Sequence, residues 1–196
     1  MAKIILEEDL RDVPEGGTFS VPAGAVVTDL AREAAEKRSI TLQESTGGTI
    51  ALGADHGGFA MKEEVKKLLR ELGHEVHDVG VFDESPADYP EVAYQVALAV
   101  SQGRCRWGIM VDGAGIGSCM AANKVPGVRA ALCYDEATAR NSRQHNYANV
   151  LTLGGRMISS QAMETIVRTW LETPYGEARH GRRVDKIMDI ESKYLR

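Results

Sequence analysis

The chain has 196 residues, 43% hydrophobic and 26% charged, which suits one full domain plus an appendage and allows a sizeable core. Its formal net charge is −5, with no run of Lys or Arg longer than two, which argues against nucleic acid and membrane surfaces as partners. The N-terminal stretch "MAKIILEEDLRDVPEGG" meets acids too soon to read as a secretory signal or a membrane span.

Residues 1–47 hold strand-like and turn-like pieces, "AKIIL", "VPEGGTF" and "VPAGAVV", then a short helical stretch, "TDLAREAAEKRSI". Thr28 or Asp29 can cap that helix, and Leu30, Ala31, Ala34 and Ala35 are expected on one face. "STGG" (45–48) reads as a linker. From residue 49 onward, short apolar runs alternate with amphipathic stretches. The runs 49–55, 74–80, 107–113, 128–134 and 149–155 are expected strands. Helices are expected near 59–72, 90–102, 116–124, 135–144 and 159–171. This alternation predicts an α/β, Rossmann-like, doubly wound sheet of about five parallel strands with helices on both faces. A final helix, roughly 178–195, carries Ile187 and Ile190 on too small an apolar face for a core helix, and is expected to dock on a partner subunit. Cys105, Cys119 and Cys133 share no CxxC or zinc pattern, so free thiols in a reducing cytoplasm are expected.

In open parallel sheets, ligands bind beyond the carboxyl ends of the strands. "GADHGG" (53–58), "DGAGIGS" (112–118), "YDEAT" and "GGR" (154–156) all fall at such ends. Glycine turns and helix N-termini there offer N–H groups to an anion. A dinucleotide site competes with this reading: Gly113, Gly115 and Gly117 give GxGxG, and Asp135 lies about 20 residues on. However, Ser118 stands where the last glycine should be, and the turn follows the third strand rather than the first. A tight turn with no ligand is the plainest alternative.

Five blocks, "GADHGGFAMKEEV", "DYPEVAYQVALAV", "GAGIGSCMAANKVPGVRAAL", "NSRQHNYANVLTLGGR" and "WL…ARHGRRVDKI", occur in order over residues 49–196. Together they resemble ribose-5-phosphate isomerase B and its relatives, the galactose-6-phosphate isomerase subunits. The resemblance implies interconversion of aldose and ketose phosphates through a cis-enediolate, without metal or cofactor. It implies that the proton-transfer base, a cysteine just before the glycine turn in much of the family, is here Asp112. Another branch places a glutamate where this chain has Ser118. As a base, Asp112 would stand beside the enediolate, with Gly113, Ala114, Gly115, Gly117 and Ser118 lining the substrate. As a plain residue it would cap the next helix. The family's ring-opening threonine aligns with Ala114, which has no hydroxyl, so ring opening would fall to His145. Otherwise it would fall to water, or the substrate would be a sugar phosphate that cannot close. Asn146 lies beside His145. Asp55, His56 and Tyr89 would meet substrate, and His56, Arg179 and Arg183 its phosphate; Arg156 and Asn149 are weaker candidates. Tyr147 replaces an aspartate common in the family and hints at an altered substrate.

The family builds its active site between two subunits, so the resemblance implies a homodimer or dimer of dimers. Residues 1–47 have no counterpart there. "VVTDLAREAAEKRSI" resembles the segments that carry enzymes into bacterial microcompartments, which implies a shell protein as partner. A flap docked on the isomerase domain is the alternative. The expected organisation is therefore an extension (1–47) and a cofactor-free sugar-phosphate isomerase domain (48–196), in the cytoplasm or inside a microcompartment within it. The competing function is a catalytically silent sugar-phosphate or nucleotide-binding protein, because three catalytic positions depart from the family pattern.

Overall fold

The computed structural model describes residues 4–11, 13–21, 26–44 and 48–195. Packing divides the chain into two compact units, Met1–Gly48 and Thr49–Arg196.

In the first unit, β1 (Ile4–Ile5) pairs in parallel with β3 (Val26–Val27), and β2 (Thr18–Val21) with β4 (Thr41–Glu44). A 3-10 helix spans Glu7–Leu10, and α1 spans Asp29–Lys37. Thr28, not Asp29, caps α1, its hydroxyl accepting from the Ala31 N–H at 3.3 Å. Ala31 and Ala35 enter a small core with Ile5, Leu10, Val21 and Ile40. Leu30, expected on that face, is 64% exposed. The helix is too narrow in its apolar stripe to bury four residues, and the turn of about 100° between neighbours carries position 30 away from 31 and 35. Arg38 ties the end of α1 to the 3-10 segment, its guanidinium donating to the carbonyls of Leu10, Arg11 and Val13. Of the expected linker, 45–47 lie outside the described residues. The expected pieces 2–6 and 21–27 are described only at 4–6, 21, 26 and 27.

The second unit contains β5 (Ile50–Ala54), α2 (Phe59–Glu71), β6 (Val76–Gly80), α3 (Tyr89–Ser101), β7 (Trp107–Asp112) and α4 (Ile116–Ala122). It continues with β8 (Ala130–Leu132), α5 (Glu136–Asn146), β9 (Val150–Gly154), α6 (Ser160–Glu172) and α7 (Ala178–Ser192). The strands form one parallel sheet in the order β6-β5-β7-β9-β8. Every residue of β5, β7 and β9 is buried, as expected of strands covered on both faces. One face packs Leu52, Ile109 and Leu151 against Val65 and Leu69 of α2 and Ile166 and Trp170 of α6. The other packs Ala51, Met110 and Val150 against Val96 and Val100 of α3 and Ala122 of α4. Cys105 and Cys133 are buried, and all three cysteines are free thiols.

The edge strand β8 is closed in an unusual way. The Asn123 side-chain amide donates to the Ala130 carbonyl and accepts from the Ala130 N–H, both at 2.9 Å. It thus pairs with that residue as another strand would. On α7, Val184 is buried, but Ile187 and Ile190 are about half exposed, in keeping with the small apolar face read from sequence.

Candidate active site

The carboxyl ends of β5, β7 and β9 bring three turns together. Central strand β7 delivers Asp112 to the start of the glycine turn, where it is 3% exposed. Gly115 takes φ +78°, a left-handed conformation that lets the chain reverse into α4. Oδ1 of Asp112 accepts from the N–H groups of Ala114, at 2.8 Å, and Gly115. Oδ2 accepts from the Ser118 N–H at 3.0 Å and from the Ser118 hydroxyl. Ser118 is wholly buried, so both candidate base positions, 112 and 118, touch each other and face inward. Since the Ala114 and Gly115 amides serve Asp112, only those of Gly113, Ile116 and Gly117 are without a hydrogen-bond partner among the described residues. The dinucleotide alternative loses ground here, because the acid at the turn occupies the N–H groups a pyrophosphate would need.

Around this turn stand several residues expected from the sequence. Asp55 is buried and caps the turn into α2, accepting from the Gly58 N–H at 2.9 Å. His56 is exposed, and its Nδ1 accepts from the Ala87 N–H at 3.4 Å. The Tyr89 ring lies on Gly117: a Cβ there would come within 2.5 Å of it. Arg156 reaches over the same floor, with a Cβ built at Gly57 falling 3.5 Å from its Nη2, 3.3 Å from Asp55 Oδ1 and 3.4 Å from the Gly113 N. No carboxylate forms an ion pair with Arg156 among the described residues. A cation is therefore available beside an acid and an unused amide, the setting an oxyanion or phosphate needs. Sequence reasoning passed over Tyr134, two residues beyond β8, whose hydroxyl donates to the Ala114 carbonyl at 2.6 Å. Its signal was the polar "YDEAT" at a strand's carboxyl end.

The remaining candidates lie at the other end of the sheet. Helix α5 starts near the carboxyl ends and runs back for 11 residues, about 16 Å at 1.5 Å per residue. His145 and Asn146 close it. Asn146 donates to Asn141 at 3.2 Å. The His145 ring lies 4.1 Å from that of His180 on α7. His180 is buried, and its Nδ1 finds no hydrogen-bond partner among the described residues. Burial, then the positive surroundings of His145, Arg179 and Arg183, hold its pKa below the usual histidine value, with Glu177 opposing. Arg183 is exposed, and Arg179 is exposed with Glu177 at 3.2 Å.

Two further residues singled out from the sequence make structural contacts at this end. Asn149 accepts from the Arg129 N–H at 2.7 Å and donates to the Gly127 carbonyl at 2.8 Å, so it staples the chain below β8 and β9. Tyr147 donates to the Gly176 carbonyl at 2.9 Å and stacks on Tyr175, which joins α5 to the segment before α7. Thus Asp55, His56, Tyr89, Asp112, Gly113, Ala114, Gly115, Gly117 and Ser118 share one end of the unit. His145, Asn146, Arg179 and Arg183 share the opposite end.

Among the described residues no group of His, Cys, Asp and Glu could hold a metal ion, and no helix is long and apolar enough to cross a membrane. The family described as Ribose/Galactose Isomerase matches residues 50–187. Ribose-5-phosphate isomerase B of Escherichia coli (strain K12) is 44% identical over 144 residues, covering 74% of this chain and 97% of that protein. D-erythrulose-4-phosphate isomerase of Pectobacterium atrosepticum is 37% identical over 142 residues, covering 71% and 92%. The structure of Clostridium thermocellum ribose-5-phosphate isomerase B superposes with a TM-score of 0.74 at 45% identity, covering 75% of this chain and 99% of that one. With its five-stranded parallel sheet and this likeness along nearly the whole length of such relatives, the chain belongs to the ribose/galactose isomerase family of sugar-phosphate isomerases.

Proposed function

We propose that the chain interconverts an aldose phosphate of four to six carbons with its ketose, ribose 5-phosphate and ribulose 5-phosphate included, using Asp112 as the base. The observation that carries this is a buried carboxylate at the end of the central strand, in a glycine turn flanked by Asp55, His56 and Tyr89. The reaction needs a base that takes the proton next to the carbonyl and returns it to the neighbouring carbon, plus donors for the enediolate oxygen. A carboxylate has about four acceptor positions, and here four donors fill them. Three are fixed amides; the fourth, the Ser118 hydroxyl, can rotate. Its rotation frees Oδ2 for the substrate proton. The amides of Gly113, Ile116 and Gly117 then face the enediolate oxygen. The phosphate goes to His56 and to the forks of Arg179 and Arg183 from a second copy, because a single copy holds these groups at opposite ends. His145 and Asn146 enter the site in the same way, and a homodimer is the smallest complete assembly.

The test is turnover on a panel of four-, five- and six-carbon aldose and ketose phosphates, with Asp112→Asn alongside. A general base supplies about 10²–10⁴-fold, so the variant should lose at least that while still binding substrate. Full activity in the variant would remove Asp112 from the role.

The saturated carboxylate favours a second reading, in which Asp112 only organises the turn and the protein binds sugar phosphates without turning them over. Ligand binding with no turnover on any panel member is its signature.

The 1–48 unit stands outside this chemistry. As an attachment module for a microcompartment shell it would direct location alone, as the likeness of "VVTDLAREAAEKRSI" to such segments suggests.

A further inference from the structure

Several hydroxyls stand at the glycine turn. Ser118 is wholly buried and spent on Asp112. Tyr89 lies on Gly117, where a built Cβ would fall 2.5 Å from its ring and 2.7 Å from its hydroxyl oxygen. Ala114, in the middle of the turn, has no hydroxyl. Tyr134 comes from the neighbouring edge strand, is 38% exposed, and holds its oxygen 2.6 Å from the Ala114 carbonyl. A phenol has one proton to donate and can also accept. Here the proton rests on a backbone carbonyl at the rim of the site, and the oxygen's acceptor side remains for a ligand. The strand beneath it is anchored: the Leu132 side chain packs at the Gly115 backbone, where an added Cβ would come within 2.5 Å of it.

We propose that Tyr134 is a further catalytic residue, the hydroxyl that serves the ring oxygen of a closed sugar phosphate; this rests on the isomerase reading above. A furanose must open before its C2 proton becomes acidic. In opening, the bond from C1 to the ring oxygen breaks and its electron pair goes to the ring oxygen. That oxygen takes the Tyr134 proton. The anomeric O–H electrons become the carbonyl, and the anomeric proton leaves to solvent. The phenolate regains a proton from solvent across its exposed edge. Before opening, the Tyr134 proton rests on the Ala114 carbonyl, which orients the hydroxyl; as substrate docks, the O–H turns from that carbonyl to the ring oxygen and donates to it instead.

The test separates ring opening from enolisation. Ribulose 5-phosphate cannot close a furanose, because its phosphate occupies the oxygen that would close it. Exchange of its C1 hydrogen with D2O therefore reports enolisation alone, whereas conversion of ribose 5-phosphate also requires opening. In Tyr134→Phe, conversion of the aldose at low substrate should fall at least tenfold, and exchange into the ketose should stay within twofold. The residual conversion should stop rising with enzyme concentration, because spontaneous opening then supplies the substrate. Adding Ala114→Ser to the Phe variant returns a hydroxyl to the same turn and should recover conversion. Equal losses in both assays, or no loss in either, overturn the proposal and leave Tyr134 as a strut for the turn. Should the Phe variant not fold, Tyr134→Leu, which also lacks a donor, is read by the same two assays. Wild-type protein inactive in both assays on these pentose phosphates overturns the proposal at the level of its substrate; the wider panel then decides the isomerase reading separately.

Discussion

Gly115 and Gly73 offer a matched pair that isolates what the glycine turn demands. Their φ angles are +78° and +80°. An L-residue in this left-handed region costs about 1–2 kcal/mol at either position. Their surroundings differ. A Cβ at Gly73, just past the end of α2, meets nothing within 4 Å. At Gly115 it would lie 2.5 Å from Leu132 Cδ1, 2.8 Å from the backbone carbon of Leu153 and 3.1 Å from the Gly154 N. Leu153 and Gly154 belong to β9, next to the centre of the sheet, so the backbone cannot move aside cheaply. Overpacking of this kind costs about 1–3 kcal/mol more. Gly73→Ala should therefore destabilise by about 1–2 kcal/mol and Gly115→Ala by about 2–5 kcal/mol. The difference corresponds to a melting midpoint about 2–12 °C lower for the second variant. The assay is unfolding followed by tryptophan fluorescence. Trp107 and Trp170, the chain's two tryptophans, are both buried in the 49–196 unit, with ring centroids 5.8 Å apart. The signal reports that unit without contribution from the other. Equal destabilisation in the two variants would refute the close-approach argument and leave only the backbone angle.

Three further outcomes are expected. If the site is completed across two copies, Asp112→Asn and His145→Asn should each be inactive alone; unfolded and refolded together at equal amounts they should regain about a quarter of wild-type activity, because half the dimers then carry one intact site. The buried His180, held below its usual pKa first by burial and then by neighbouring positive charge, contributes stability that is present above about pH 6.5 and lost as the pH falls toward its folded value. His180→Phe should flatten the fall in melting midpoint between about pH 7 and 5. Removing residues 1–48 should leave both turnover and the tryptophan-detected midpoint of the remaining unit unchanged, since the first unit has its own core and strand pairing; loss of turnover would assign it to the isomerase instead.

Much of the fold was legible because its signals are local. The five apolar runs match β5 to β9 to within two residues at every end. Leu30 was misjudged because alanines on a helix say little about which side is inner. Lys62, which the sequence analysis does not single out, is fully buried against Asp78 at 3.1 Å and the Val81 carbonyl at 2.7 Å. That burial depends on the chain after β6 folding over α2, a contact between residues 19 apart that no window of helical spacing contains. In the site, the strand-end rule located Asp55, His56 and Asp112, because it depends only on topology. What it could not supply was the other end of each helix. His145 and the C-terminal arginines sit far from Asp112 within one copy because α5 runs antiparallel to the strands. Likewise, sequence alone did not reveal that Asp112 would be met by four donors, since Ser118 reaches it only once α4 has formed.

The closed edge at β8 bears on how the protein behaves when concentrated. A three-residue strand with an open side is a template on which another chain can extend the sheet. Here the Asn123 amide already occupies both backbone groups of Ala130. An incoming strand must first displace it, and then finds too short a ladder to hold. Asn123→Ala leaves the strand's own pairing intact while uncovering that rung. Its cost should therefore surface less in folding than in shelf life, as slow precipitation from stocks in which the parent chain stays clear.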